Sequence, residues 1–405
     1  MPHLHMPGAK RILYVHHGGG QGGAANSLLF LLEGLDRRRF QPLVSCDFAK
    51  PHARQFFSEN GLEPIHVSIA PFTHTTKTWK LHTPAGLARF VQWSLIRYPN
   101  SKDEFSQLIH RIKPDLVHLN GISLLPLAPL AKRSNIPVVQ HIREPVNPGS
   151  IGLRKAWLRR LADRNVDHMI YICIDNQQRF TVPSVNSSVI YNPIDVDRFE
   201  SADRVACREQ LHLPKEGTVL LFPGGSLLEI KGIFPFLDAL RIVRRSHPDV
   251  RAIVPGIDRP PNPRDHTRMR VEARIDEYRL EDCILRLPFS HQVEQYYAAS
   301  DIVVAPFVVP HFSRAVIEAG AASRPVVASR IGGISEVLRD RENGLLVTAG
   351  DAGDLALKLE HLIDDRRSAI AMGATGHLKA VSSFSADLHA QRVMDVYDRI
   401  LATAH

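Results

Sequence analysis

The stretch "APFVVPHFSRAVIEAGAASRPVVAS", residues 305–329, contains a strand–helix–strand unit. It reads as the end of a strand, a loop, a helix opening near Ser313, a tight turn and a second strand. The same alternation runs through the whole chain. The first half carries "RILYVHH", "PLVSCDF", "PIHVSI", "DLVHLNG", "PVVQHI", "HMIYICI" and "SVIYNPI". The second half carries "TVLLFPGG", "RAIVPG", "CILRLPF", "DIVVAPF", "PVVASR" and "NGLLVTAG". Short β-branched runs spaced by helical patterns predict βαβ units and parallel sheets. Two such sets predict an α/β protein of two Rossmann-like, doubly wound domains facing across a cleft. The break falls in the turn-rich "NPIDVDRFESADR", residues 192–204. The expected division is 1–195, 196–384 and a last helix over 385–405 that can cross back to the first domain. That helix shows Leu388, Val393, Val396, Tyr397 and Ile400 on helical spacing.

Bulk properties narrow the class. With 405 residues, 44% hydrophobic and 23% charged, the chain suits two globular domains. No apolar run approaches the roughly 20 residues that span a bilayer, and the first residues lack a signal-peptide core. Cys46, Cys173, Cys207 and Cys283 lie far apart and read as reduced core thiols of a cytoplasmic protein. The formal charge of +8 permits anionic partners. No nucleic-acid-binding signature accompanies it, so none is expected to bind.

The loops that follow strands carry the chemistry, because ligands of open α/β sheets sit at the carboxyl ends of the strands. The first is "YVHHGGGQGGAANS", residues 14–27. Taken alone it fits a dinucleotide fingerprint, with Asp47 at the end of the next strand as the ribose acid, and so suggests NAD. The second, "FPGGSLLEIKG" at 222–232, offers glycine amides and one ammonium, Lys231, to a phosphate. In the third, the positive start of the helix near Ser313 faces an anion. Phe312 and Ser313 offer amides there, Arg314 adds charge, and Glu318 can accept hydrogen bonds from ribose hydroxyls.

Together these motifs resemble the GT-B glycosyltransferases of retaining family 4. Gly22-Gly23-Ala24 resembles the family's first glycine motif, and "VIYNPID" at 189–195 its strand end between domains. "GGSLLEIKG" is similar to its glycine-arginine…lysine-glycine segment, and "SRAVIEAGAASRPVVASRIGGISEV" with "ENGLLV" to its most distinctive block. The resemblance covers nearly the whole chain and moves the first loop away from NAD. It implies transfer of a sugar from a UDP- or GDP-sugar to a glycan or lipid-linked acceptor, with retention of configuration and no metal or other cofactor. Cell-envelope polysaccharide biosynthesis is the implied setting.

By the same resemblance His141, at the end of "PVVQH", contacts the transferred sugar, with Lys231 and Glu318 completing the catalytic set. Gly22, Gly23, Gly225, Ser226, Lys231, Phe312, Ser313, Arg314 and Glu318 form the donor site. His17, Asn26, Arg143 and Glu144 are acceptor-side candidates, with His16 and His118 weaker ones. Asp195 and Asp197 in "DVD" read as structural rather than metal-binding. Two positions depart from the family. Pro310 stands where a glutamate precedes Glu318 by eight positions, and Ser226 replaces the usual arginine, with His311 a substitute for one of them. Losing one such preorganised group costs on the order of 100-fold in rate. A degenerate GT-B binding or partner-supporting protein is therefore the alternative, with an NAD-dependent oxidoreductase behind it.

Two cationic, amphipathic stretches complete the reading: "LRKAWLRRLADR" at 153–164 and "GLARFVQWSLIRYP" at 86–99. Each suits either the surface of a packed helix or an interfacial segment on the inner face of the cell membrane.

Overall fold

The computed structural model describes residues 8–18, 22–72, 83–146, 152–224, 229–257, 266–287, 292–310 and 312–403. The chain divides into two compact units. Unit 1 is Met1–Pro193 together with Ala386–His405, and unit 2 is Ile194–Ser385.

Unit 1 is built on seven strands: β1 (Lys10–His16), β2 (Phe40–Cys46), β3 (Ile65–His66), β4 (Leu116–Asn120), β5 (Val138–Ile142), β6 (His168–Tyr171) and β7 (Asn186–Val189). They pair in the order β3-β2-β1-β4-β5-β6-β7, all parallel. Unit 2 has β8 (Val219–Leu221), β9 (Arg251–Pro255), β10 (Ile284–Leu287), β11 (Ile302–Ala305), β12 (Val326–Ser329) and β13 (Gly344–Val347). Their order is β10-β9-β8-β11-β12-β13, again parallel. β4 and β5, like β11, β12 and β13, are buried along their whole length. That explains why they read as continuous apolar runs rather than alternating ones.

Strand order reverses between β1 and β4 in unit 1 and between β8 and β11 in unit 2. These are the topological switch points, where an open α/β sheet leaves a crevice at its carboxyl edge. The three loops read from the sequence as phosphate or ribose binders follow β1, β8 and β11.

One face of the unit 1 sheet is covered by the helix Gly23–Glu33 and by the terminal helix Ala386–Thr403. Leu28, Leu31 and Leu32 of the former and Val393, Val396 and Tyr397 of the latter meet Ile12, Tyr14 and Val139 of the sheet. The apolar stripe expected over 385–402 is thus core. Each such side chain contributes about 1.5–3 kcal/mol by leaving water. In unit 2 the chain enters and leaves side by side, with Ile194 N–H donating to Phe384 O at 2.9 Å.

Candidate functional site

In unit 2 the site is organised around Lys231 and Glu318. Lys231 closes the short turn Glu229–Lys231 after β8. Two contacts tie this turn to the segment after β11. Val308 N–H donates to Ile230 O at 3.0 Å. Gly232, at φ +80°, brings its Cα so near Pro306 that a Cβ would lie 1.8 Å from the Pro306 carbonyl oxygen. Only glycine satisfies both the left-handed backbone and the contact. The turn is therefore held against the loop that leads into the helix Arg314–Ala321.

The Lys231 ammonium donates to Gly224 O. Burial lowers its pKa, while the nearby Glu318 carboxylate works in the opposite direction. Glu318 is itself held on both sides. Tyr297 Oη donates to Oε2 at 2.8 Å and Arg314 Nε to Oε1 at 3.4 Å, so one lone pair on each oxygen is taken. Tyr297 is fully buried, and its hydroxyl is pushed far up by burial first and by Glu318 second. Ser313 caps the helix by position only. Its buried Oγ has no hydrogen-bond partner among the described residues. Phe312 is buried beside it, and Pro310 is exposed. Gly225, Ser226 and His311 lie outside the described residues.

In unit 1 the first glycine loop ends at Gly22, which opens the helix Gly23–Glu33. Asn26 N–H and Ala25 N–H both donate to Gly22 O at 3.0 Å. Gly22 and Gly23 are exposed. His17 packs its ring on Gly121, the residue after β4, where a Cβ would lie 2.6 Å from the His17 Cε1. Asp47 accepts from Ala49 N–H at 2.9 Å and so closes the turn after β2. Lys50 in that turn reaches the His17 carbonyl.

Behind the loop lies a buried polar layer. Register places His16, Asn120 and His141 side by side on β1, β4 and β5. Asn120 bonds His16 Nδ1 at 3.1 Å and donates to Ala24 O at 3.3 Å, linking strand ends to the helix start. Arg143, expected at an acceptor edge, is instead buried, giving Nε to Asn120 Oδ1 and Nη1 to Asn192 Oδ1, each at 2.8 Å. It organises the layer from within. Beside it the Glu144 carboxyl is enclosed, and burial pushes it up to about 7 against the pull of Arg143.

His118 lies one step deeper, with Nδ1 2.6 Å from Tyr397 Oη and Nε2 3.2 Å from His141 Nδ1. Burial holds His118 and His141 neutral, aided by the Arg143 charge, and takes His16 down to about 3. Neutral imidazoles can hydrogen-bond without adding charge to a core. Asn120 and Tyr397 carry much of this layer, as Tyr297 does beside Glu318, and none of the three had a site signature in the sequence; Asn192 lies within the quoted "VIYNPID".

Asp195 caps the helix Val196–Glu200 by accepting from Arg198 N–H at 3.1 Å, a structural role. Among the described residues no group of three or more His, Cys, Asp or Glu is arranged to hold a metal ion.

Two parallel doubly wound units with glycine-bearing loops after β1 and β8 are the architecture of the GT-B class. Family comparisons agree with this architecture. The model for "Glycosyltransferase Family 4" matches residues 21–198, and that for "Glycosyl transferases group 1" matches residues 203–378. The chain belongs to the family 4 glycosyltransferases of the GT-B fold. It is 28% identical over 358 residues to a D-inositol 3-phosphate glycosyltransferase of Streptomyces scabiei, covering 83% of this chain and 77% of that protein. A D-inositol 3-phosphate glycosyltransferase of Nocardioides is 29% identical over 226 residues, which is 53% of this chain and 48% of its own length. The match thus spans about half of that relative. Among solved structures, Anabaena HepE in complex with UDP superposes with a TM-score of 0.78 at 23% identity, covering 96% of this chain and 100% of that one. HepE has also been solved with UDP-glucose. At that identity the likeness shows the fold.

Proposed function

We propose that this chain transfers a sugar from a UDP- or GDP-sugar to a glycan or lipid-linked acceptor with retention of configuration. The observation that carries the reading is the convergence of Lys231, Glu318 and the start of the Arg314 helix at the β8/β11 switch point. Departure of a nucleoside diphosphate builds negative charge, and catalysis needs cations and N–H dipoles aimed at it. Lys231 can exchange the Gly224 carbonyl for a phosphate oxygen, a stronger acceptor. Arg314 and the first amides of its helix add positive potential, so the reading requires no metal. Glu318, oriented by Tyr297, keeps a free lone pair on each oxygen for the ribose hydroxyls. His141 supplies an uncharged imidazole to a sugar hydroxyl. By family resemblance, the leaving phosphate helps to deprotonate the acceptor.

A thermal-shift panel with UDP, GDP, ADP, TDP and NAD tests the donor site. A ligand at 100 times its Kd stabilises by about 2.7 kcal/mol. The expected result is a shift with UDP or GDP that falls in Lys231→Ala to about 0.4–1.4 kcal/mol, half of the wild-type value or less. No shift with any nucleotide would favour the degenerate alternative, to which Pro310 and Ser226 point. A shift with NAD alone would restore the dinucleotide reading of the first loop.

Cell-envelope synthesis at the inner membrane face is part of the same proposal. No helix among the described residues is long and apolar enough to cross a membrane. Leu87, Val91, Leu95, Ile96, Leu153 and Trp157 are nonetheless exposed. Phe72 joins the two stretches, its ring 4.8 Å from Trp157 and 5.4 Å from Trp93. Arg154, Lys155, Arg159, Arg160 and Arg164 border the apolar side chains, as an interfacial surface would require. Sedimentation with anionic vesicles at low salt, reversed by high salt, is the expected behaviour. Equal sedimentation without vesicles would remove this part.

A further inference from the structure

The face of the unit 1 sheet under the terminal helix is a core surface, yet four of its side chains form an unbroken polar line. Tyr14 on β1, Tyr397 on the terminal helix, His118 on β4 and His141 on β5 are all fully buried or nearly so. The separations are 3.0 Å from Tyr397 Oη to Tyr14 Oη, 2.6 Å from Tyr397 Oη to His118 Nδ1, and 3.2 Å from His118 Nε2 to His141 Nδ1. The line ends at His141 Nε2, which is buried and has no hydrogen-bond partner among the described residues.

Each member of such a line has one proton to place, so the direction of one bond fixes all the others. Tyr397 donates its hydroxyl proton to Tyr14 Oη. It then has only lone pairs to offer His118, whose Nδ1 must carry a proton. A neutral His118 leaves Nε2 bare, and Nε2 accepts from a proton on His141 Nδ1. A neutral His141 therefore presents a bare Nε2. We propose that Tyr14 and Tyr397, through His118, fix the tautomer of His141 so that its bare Nε2 accepts a hydrogen bond from a sugar hydroxyl. The tyrosines and His118 are positioning residues. The inference rests on His141 serving the sugar site.

Free histidine favours the Nε2–H tautomer, so two Nδ1–H histidines in series are a diagnostic signature. Removing the Tyr397 hydroxyl would leave His118 Nδ1–H without an acceptor. His118 would then carry its proton on Nε2 and give it to His141 Nδ1, leaving the His141 proton on Nε2. Tyr14→Phe reaches the same end another way, since the Tyr397 proton would turn to His118 Nδ1.

The test is magic-angle-spinning NMR of the full chain labelled with 15N,13C-histidine, the His141 signals being assigned by their loss in His141→Ala. The expected wild-type result is an unprotonated Nε2 and a protonated Nδ1 on His141, inverted in Tyr397→Phe. Tyr14→Phe, which keeps the Tyr397 hydroxyl, repeats the measurement if the first variant does not fold. A protonated Nε2 in the wild type, or an unchanged tautomer in a folded variant, overturns the proposal. UDP release from UDP-glucose separates it from the reading beneath it. A His141→Ala protein as active as wild type would overturn the site role of His141, whatever tautomer the spectra record.

Discussion

Tyr297 donates its hydroxyl to Glu318 Oε2 at 2.8 Å from the neighbouring helix Glu294–Ala299. The bond fixes the carboxylate expected to receive ribose hydroxyls, and burial keeps the phenol protonated so that it always donates. A hydrogen bond to a charged group is worth about 1.5–3 kcal/mol. Tyr297→Phe should therefore weaken nucleoside diphosphate binding by on the order of tenfold, with the fold retained. Calorimetric titration checks this, and unchanged affinity would separate Tyr297 from the ribose site.

Lys231→Ala should cost more. It removes the one ammonium of the β8 loop, and a charge-assisted phosphate contact of about 1.5–3 kcal/mol corresponds to roughly 10- to 100-fold in Kd. The same variant should leave the melting temperature without nucleotide nearly unchanged. The residue's own bond in the free protein is to a backbone carbonyl.

Gly232→Ala tests the tie between the Lys231 turn and the loop after β11. A methyl group cannot fit 1.8 Å from the Pro306 oxygen, so the turn must move. The expected outcome is loss of the nucleotide thermal shift together with a melting temperature lowered by several degrees. A lowered melting temperature with the nucleotide shift intact would show that the turn's position is not what binds.

Acid should destabilise unit 1 ahead of ordinary carboxylate titration. The buried bases His16, His118 and His141 have folded pKa values below the usual 6.5, with His16 at about 3. As pH falls below 6.5 the unfolded chain takes up protons that the folded chain refuses. Each histidine then removes about 1.4 kcal/mol of stability per pH unit, until its own folded pKa is reached. Glu144 runs the other way. Its folded pKa of about 7 means the folded state holds a proton that the unfolded chain releases above the usual 4.5, and this offsets one histidine between those values. Melting curves between pH 7.5 and about 5 should show a net fall that His16→Asn or His118→Gln makes shallower. A flat profile would mean that these imidazoles are not held neutral.

Most β-strands were legible because a parallel strand buried on both faces must be a short apolar run; each of the thirteen runs overlaps one strand, although β3, β7 and β10 are partly exposed. The loops proposed to bind phosphate stood out as candidates because glycines, Lys231 and Glu318 come after strands in the chain. What could not be read is what register and long-range packing create. Asn120 stood without a role in the strand run "DLVHLNG" until pairing set it between His16 and His141. Arg143 and Glu144 read as a charged edge because adjacency in sequence hides the fact that Arg143 turns inward to two asparagines. Tyr397 read as one apolar residue in a helical stripe. Periodicity reports which face a side chain occupies and is silent about the hydroxyl at its tip.

The terminal helix has a consequence for how the protein is made. Unit 2 is contiguous, whereas unit 1 needs residues 386–403 to cover Ile12, Tyr14 and Phe40. During synthesis the ribosome must deliver all of unit 2 before the unit begun first can close its core. The usual order, in which the N-terminal domain folds first, is thereby inverted. A nascent chain paused before Ala386 would present a finished second half and an open first half, a form that chaperones and proteases can distinguish from the completed chain.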